Sequence, residues 1–132
     1  FLRPTQQMRE EGVDLKLNAV EKIVQGKKVV IVDDSMVRGT TGVKLVHLMR
    51  RAGARAVHLR ISSPPVIDAC LYGIDMPAPV ELIAYERGAR AIAGVVGADS
   101  LGYLSLEATV GAVGLPPEHF CLACFNGSYP VR

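Results

Sequence analysis

The feature that most constrains the fold of this chain is a run of four β-branched apolar residues, Val29 to Val32, which leads directly into Asp33 and Asp34. A continuous β-branched run bounded by turn-forming residues is typical of a strand that is buried on both faces of a parallel sheet. A loop that contains a serine, a glycine and two threonines follows at residues 35–41. The sequence therefore predicts a buried strand whose carboxyl end carries two acidic side chains.

The segments around this strand predict a βαβ unit. Apolar residues recur at helical spacing over residues 6–25 and 43–52, and Gly26 and Gly53 then act as helix stops. Residues 57–61 alternate as a second strand. Further along, the sequence predicts a loop at 67–79, short helices at 80–86 and 89–96, a strand at 101–104, a weak helix at 105–113 and an irregular tail at 116–132. We therefore expect the α/β fold class, with a mainly parallel sheet flanked by helices.

Composition fits one such domain with an aliphatic core. The chain has 132 residues, 49% of them hydrophobic and only 5% aromatic. No apolar run approaches the roughly 18 residues that cross a bilayer, and no signal peptide is visible. Residues 1–60 carry a net charge of +6 and residues 61–132 a net charge of −4, so the front half favours a phosphorylated ligand or a solvated basic helix face about equally. Since the first residue is Phe1, we expect a segment of a longer protein.

The predicted site lies where the first strand ends. Ligands of open α/β sheets bind beyond the carboxyl ends of the strands. Backbone N–H groups at the start of the next helix favour an anion, and Gly39 lets the backbone come close to it. Carboxylates accept hydrogen bonds from sugar hydroxyls or bind Mg²⁺. The combination predicts a sugar-phosphate site, with the sugar on Asp33 and Asp34 and the phosphate in the loop.

The acidic pair and the loop also have simpler and competing interpretations. An isolated Asp-Asp pair most often caps the loop that follows it. The Walker A and Rossmann glycine patterns are missing. A receiver domain, whose acidic pair also holds Mg²⁺, requires a lysine on a later strand, and no lysine occurs after Lys44.

The string from Val29 to Thr41 resembles the phosphoribosyl-pyrophosphate (PRPP) motif of type I phosphoribosyltransferases. Other segments resemble the amidophosphoribosyltransferase family in the same order, and these are residues 1–18, 62–65, 72–77, 81–84, 97–101 and 125–130. The resemblance covers nearly the whole chain. It implies that residues 1–132 form the C-terminal part of a type I phosphoribosyltransferase domain, with an irregular C-terminal tail.

The resemblance also implies a reaction and its residues. The family transfers ammonia derived from glutamine to PRPP, giving 5-phosphoribosylamine and pyrophosphate in the first step of de novo purine biosynthesis. Asp33 and Asp34 would hold the ribose hydroxyls and participate in Mg²⁺ binding. The PRPP-binding set continues through Ser35, Met36, Val37, Arg38, Gly39, Thr40 and Thr41, which would wrap the 5′-phosphate. The implied protein is a cytoplasmic homo-oligomer, a tetramer in the family, inhibited by purine nucleotides, without nucleic-acid or membrane partners.

Three cysteines stand at Cys70, Cys121 and Cys124. An odd number argues against a complete disulfide framework, and the Cys-x-x-Cys spacing fits metal or cluster ligation or redox chemistry. These positions match those of a family subgroup that carries a 4Fe–4S cluster, which takes four thiolates. The fourth ligand would therefore lie outside this chain. Zinc, or ordinary buried thiols, are the alternatives.

Residue 1 is Phe, whereas the family's N-terminal glutaminase domain starts with a nucleophilic Cys. We therefore expect that the glutaminase domain and most of the loop that covers PRPP are absent, and that the fragment alone is inactive. Two other functions stay open. A salvage phosphoribosyltransferase acting on a nucleobase predicts base-stacking aromatics, and a non-catalytic regulator predicts weak PRPP binding and a nucleic-acid patch.

Overall fold

A computed structural model describes residues 20–131 of the chain. Residues 20–24 are helical. The strands are β1 (Lys28–Asp33), β2 (Ala56–Ile61) and β3 (Ser100–Tyr103); the α-helices are α1 (Thr40–Arg51), α2 (Ala89–Val96), α3 (Leu106–Val113) and α4 (Ala123–Asn126); 3₁₀ helices occupy Pro79–Glu81 and Pro117–His119. No helix among the described residues is long and apolar enough to cross a membrane.

The strands form one parallel sheet in the order β1-β2-β3. Asp33 pairs with Ile61, and Ile61 pairs with Tyr103. The three strands therefore end at the same edge of the sheet, and Asp33 lies on that edge. The predicted βαβ unit and parallel sheet are confirmed, with the helix starting three residues earlier than expected, at Thr40.

The core lies between the sheet and helices α1 and α2. Its side chains are aliphatic, as the composition predicts, and Leu59 and Ile92 at its centre are almost completely buried. Along β2 the buried residues alternate with more exposed ones, so that one face of the strand packs on the helices. This packing holds the carboxyl edge of the sheet and the start of α1 in a fixed relation.

The prediction that β1 is buried on both faces is wrong for the described residues. Side chains alternate along the strand, and Val30 and Val32 on the outer face are 58% and 70% exposed. The physical reason is that α1 and α2 both pack on the other face, and β1 lies at the edge of the sheet. An apolar run shows that a strand is suited to burial, but not which elements cover it.

Two other local predictions need correction. The helix predicted at 80–86 is a single 3₁₀ turn, Pro79–Glu81, after which Leu82 is extended and Glu86 takes a positive φ of 54°. The tail predicted as irregular contains one 3₁₀ turn and the four-residue helix α4. The predicted helix at 6–25 is confirmed only over 20–24, because residues 6–19 lie outside the described part.

Asp99 links the core elements at the opposite, amino-terminal edge of the sheet. Its Oδ2 accepts hydrogen bonds from Val57 N–H at 2.7 Å and from Arg50 Nη2 at 2.8 Å. The bond from Val57, with smaller contributions from Arg50, lowers the pKa of Asp99 below its ordinary value of 3.8. Asp99 therefore joins β2, α1 and the turn before β3 through its ionised form.

The acid stability of the chain should depend on this group. Because its folded pKa is lowered, ionised Asp99 stabilises the fold above the unfolded pKa, and this contribution is lost as the pH falls through the folded value. We expect Asp99→Asn to lower stability at neutral pH and to reduce the loss of stability on acidification below about pH 4. Urea unfolding between pH 3 and 7 measures both effects. The exposed Asp75→Asn is the control, and equal pH profiles for wild type and Asp99→Asn would contradict the assignment.

Candidate functional site

A pocket of about 330 Å³ opens at the carboxyl end of β1. Its lining is one continuous stretch, residues 33–42, which comprises the end of β1, the loop and the first turn of α1. All of the residues that were predicted to bind a sugar phosphate lie in this lining. The structure therefore brings the two acidic side chains and the loop together around one open space.

The two carboxylates use only part of their hydrogen-bonding capacity within the loop. Asp33 Oδ1 accepts the Asp34 N–H at 3.0 Å, and Asp34 Oδ1 accepts the Ser35 hydroxyl at 3.2 Å. The strand end itself is fixed separately, because the Asp33 carbonyl accepts both the N–H and the hydroxyl of Ser62. Local capping is thus present, as the simpler interpretation expects. It leaves the second oxygen of each carboxylate open to a ligand, since the ion pairs of the described residues join other groups.

Met36 anchors the loop to the core. Its side chain is only 4% exposed and packs over Gly42, where a Cβ would lie 2.8 Å from Met36 Cε. Of the predicted ligand-binding residues, Met36 can therefore offer only its backbone to the pocket. A larger residue at position 42 would push the Met36 side chain out of its place.

The N-terminus of α1 faces the pocket with free donors. Gly39 is the residue before the helix, has a φ of 80°, and no side chain caps the first turn. Thr40 and Thr41 are exposed. The first N–H groups of a helix have no partner within the helix, and the helix dipole makes this end positive. The arrangement is suited to bind a phosphate group.

Sequence reasoning missed the residues behind the loop. Ile83 donates its N–H to the Val37 carbonyl at 2.8 Å, and Glu81 forms an ion pair with Arg38 at 3.3 Å. These partners are more than 40 residues apart in the chain, so no local pattern reveals the contacts. The only signal was that residues 81–84 matched a family segment, which indicated importance but no role.

The three cysteines lie in a second region, formed by the C-terminal tail and the loop around Cys70. The Cys124 carbonyl accepts the N–H groups of Ile67 and Asp68 at 2.9 and 3.2 Å. The rings of Tyr72 and Tyr129 meet edge to face with centroids 6.1 Å apart, and the Tyr129 hydroxyl bonds to the Ala69 carbonyl. The tail is thus held to this loop by hydrogen bonds and aromatic contact.

The three thiols form no disulfide. Burial raises the pKa of Cys124, and the neighbouring charges of Cys121 and Cys70 raise it further. In residues 20–131, however, no group of three or more histidine, cysteine or acidic side chains is arranged to hold a metal ion. The donors have the right chemistry for iron or zinc, but they do not form a ready-made three-ligand site.

Relatives and solved structures similar to this chain carry the same family name. No family model matches the sequence. Amidophosphoribosyltransferase 2 of Arabidopsis thaliana is 48% identical over 132 residues, and the Synechocystis enzyme is 50% identical over 131 residues. The solved glutamine PRPP amidotransferase of B. subtilis, complexed with ADP and GMP, superimposes with a TM-score of 0.79 and 43% identity over 98% of this chain.

The fold therefore defines a phosphoribosyltransferase-like α/β protein, in which the pocket of residues 33–42 lies at the end of a strand. Within that class, the chain is a homologue of the amidophosphoribosyltransferases, which are glycosyltransferases. It spans about a quarter of the length of the curated relatives that it matches, 24% and 26% for the two named above. The matching segment before residue 20 lies outside the described residues.

Proposed function

We propose that this chain is the PRPP-binding part of an amidophosphoribosyltransferase, which transfers ammonia derived from glutamine to PRPP and releases pyrophosphate. The observation that carries the proposal is the pocket of residues 33–42, which combines two carboxylates with a helix N-terminus in a homologue of these enzymes. Because the chain spans a quarter of its relatives, the complete reaction is proposed for the full-length protein.

Each part of the pocket then has a role in binding. Asp33 and Asp34 accept hydrogen bonds from the two ribose hydroxyls through the carboxylate oxygens left open in the loop. The 5′-phosphate lies against the N–H groups and hydroxyls of residues 35–41. The sugar is thereby held at both ends, so that its C1 atom has one position relative to the incoming ammonia.

The two carboxylates also suit Mg²⁺, which binds through one or two carboxylates together with substrate phosphates. When bound, the ion would neutralise charge on the leaving pyrophosphate. The protein's own contribution is electrostatic. C1 becomes cation-like as the glycosidic bond breaks, and the negative charge of Asp33 and Asp34 favours that state. Ammonia is the nucleophile, so no side chain of the pocket needs to attack the sugar.

Calorimetric titration of the chain with PRPP tests this proposal. We expect PRPP to bind in the presence of Mg²⁺ and to bind more weakly when the metal is chelated. Ribose 5-phosphate should compete for the same site. A chain that is folded by circular dichroism and binds neither compound would contradict the proposal. In the full-length protein, turnover with a nucleobase but not with ammonia would favour the salvage alternative, which no observation on this chain supports.

We further propose that Cys70, Cys121 and Cys124 supply three thiolates of a structural 4Fe–4S cluster. The support is the attachment of the tail, which carries Cys121 and Cys124, to the loop around Cys70, together with the raised pKa of Cys124. Since the cysteines do not form a complete ligand set in residues 20–131, cluster assembly requires a further ligand and a rearrangement that brings the three thiols together. No step of the reaction depends on this group.

Metal content checks the cysteine proposal. Full-length protein purified without oxygen should contain about four iron and four sulfide per chain. Replacing Cys121 and Cys124 together by serine should remove both and lower the melting temperature, because the tail loses its link through the cluster and keeps only its hydrogen bonds and aromatic contact. The Ser128→Ala variant, also in the tail, is the control. Zinc in place of iron, or full iron content in the double variant, would overturn the proposal.

The remaining family properties are proposals of the same kind. The solved B. subtilis relative was complexed with ADP and GMP, which supports inhibition by purine nucleotides in the full-length protein. We propose a cytoplasmic homo-oligomer without nucleic-acid partners. Because the named Arabidopsis relative is chloroplastic, a plastid location is the alternative that cell fractionation would detect.

A further inference from the structure

A short segment on the far side of the phosphate-binding loop determines its shape. Residues 81–83 follow the 3₁₀ turn Pro79–Glu81, and Leu82 and Ile83 are buried, at 0% and 4% exposure. Each of the consecutive loop residues 37, 38 and 39 has a contact to this segment. We call residues 81–83 the buttress segment.

The first contact orients a peptide group of the loop. The Val37 carbonyl accepts the Ile83 N–H at 2.8 Å. In a trans peptide the carbonyl and the following N–H point in opposite directions. Fixing the Val37 carbonyl towards Ile83 therefore turns the Arg38 N–H away from the buttress segment. It also keeps a carbonyl oxygen, which would repel a phosphate, from facing the anion.

The second contact is steric and lies at Gly39, the residue just before α1. Gly39 has a φ of 80°, and a Cβ built on it would overlap Ile83 Cδ1. The Ile83 side chain therefore fills the space directly behind the loop, with its Cγ1 3.3 Å from the same point. The loop cannot move backwards without displacing a buried core residue.

The third contact, between Arg38 and Glu81, is weaker. Their side chains are 56% and 53% exposed, and an exposed ion pair of this kind contributes little. Of the three contacts with the buttress segment, the two made by Ile83 therefore hold residues 37–39 more firmly, through one backbone hydrogen bond and one methyl group.

We propose that Ile83 is a positioning residue for phosphate binding: it holds residues 37–39 in the conformation that presents their N–H groups to the ligand before the ligand arrives. This inference deepens the proposed PRPP-binding function and rests on it for the identity of the ligand. Preorganisation of this kind increases affinity because the loop does not have to be ordered on binding.

The test compares two substitutions that each delete one Cδ1 methyl. Ile83→Val removes the atom behind Gly39 and keeps the backbone hydrogen bond. Ile92→Val removes the same group from a fully buried core position that the loop contacts above do not involve. Both variants should fold and lose similar stability, so a difference between them reports on the loop rather than on the core.

Two measurements are made on both variants and on the wild-type chain. Amide hydrogen exchange over residues 37–41, without ligand, should be faster in Ile83→Val than in Ile92→Val. Titration with ribose 5-phosphate should show affinity about twofold to tenfold lower in Ile83→Val, with Ile92→Val close to wild type. Equal loop exchange in the two variants overturns the positioning role. Faster loop exchange in Ile83→Val together with no wild-type binding of ribose 5-phosphate or PRPP overturns the proposed ligand instead.

Discussion

Replacing Asp33 and Asp34 together by asparagine is expected to reduce the affinity for PRPP by at least about 100-fold, since each charged hydrogen bond to a hydroxyl is worth about 1.5–3 kcal/mol. The substitution keeps the shape of both side chains and removes their charge. It should therefore abolish the Mg²⁺ dependence of binding as well as the affinity for the sugar. Calorimetry on the chain measures the PRPP affinity and its Mg²⁺ dependence. The loss of binding should also lower the ammonia-dependent turnover of the full-length protein.

Asp75→Asn is the matched control, because Asp75 is exposed and does not line the pocket. It should bind PRPP as the wild type does. In the full-length protein the double variant should retain the release of glutamate from glutamine, which separates loss of PRPP chemistry from loss of fold. Undiminished turnover with ammonia in the double variant would refute the assignment of the two carboxylates.

Substituting Gly39→Ala is expected to produce the second large effect, on stability and binding together. The residue has a φ of 80°, which costs an L-residue about 1–2 kcal/mol. The new methyl group would also overlap Ile83 Cδ1, and overpacking of a core typically costs about 1–3 kcal/mol more. Urea unfolding should therefore show a loss of about 2–5 kcal/mol. PRPP affinity should also fall, because the loop must move forward to relieve the overlap.

Gly26 offers a control with the same backbone conformation. Its φ is 72°, and a Cβ built there meets nothing within 4 Å. Gly26→Ala should therefore show the backbone cost alone and leave PRPP binding unchanged. The difference between the two variants isolates the steric contact with Ile83. Equal losses of stability in both would show that the contact contributes nothing.

The sequence was sufficient to predict those parts of the fold that depend on neighbours in the chain. The β-branched run, the glycine stops and the helical spacing identified β1, α1 and β2, because each signal is local. Asp33 and Asp34 could be placed at the correct edge, since all strand ends of a parallel sheet lie together. The predicted set, residues 33–41, lies within the pocket lining, which also includes Gly42.

The parts that failed depend on contacts across the chain. The sequence of β1 shows that it can be buried on both faces, but within residues 20–131 helices α1 and α2 pack on a single face and leave Val30 and Val32 exposed. Residues 80–86 have helical composition. In the structure, however, Leu82 is extended and Ile83 donates its N–H to the Val37 carbonyl of the loop. The role of Ile83 could not be predicted because its partner Val37 is 46 residues earlier.

Within residues 20–131, β1 is an apolar strand at the edge of the sheet, and this position affects the tendency of the chain to aggregate. An apolar strand at the edge of a sheet is a template for pairing with another molecule. Here charged residues stand at both of its ends, Lys27 and Lys28 before it and Asp33 and Asp34 after it, as gatekeepers that oppose such pairing. The acidic pair of the pocket thus also protects solubility. The double asparagine variant lacks the two acidic gatekeepers, so its binding is best measured at protein concentrations where light scattering shows a single monodisperse species.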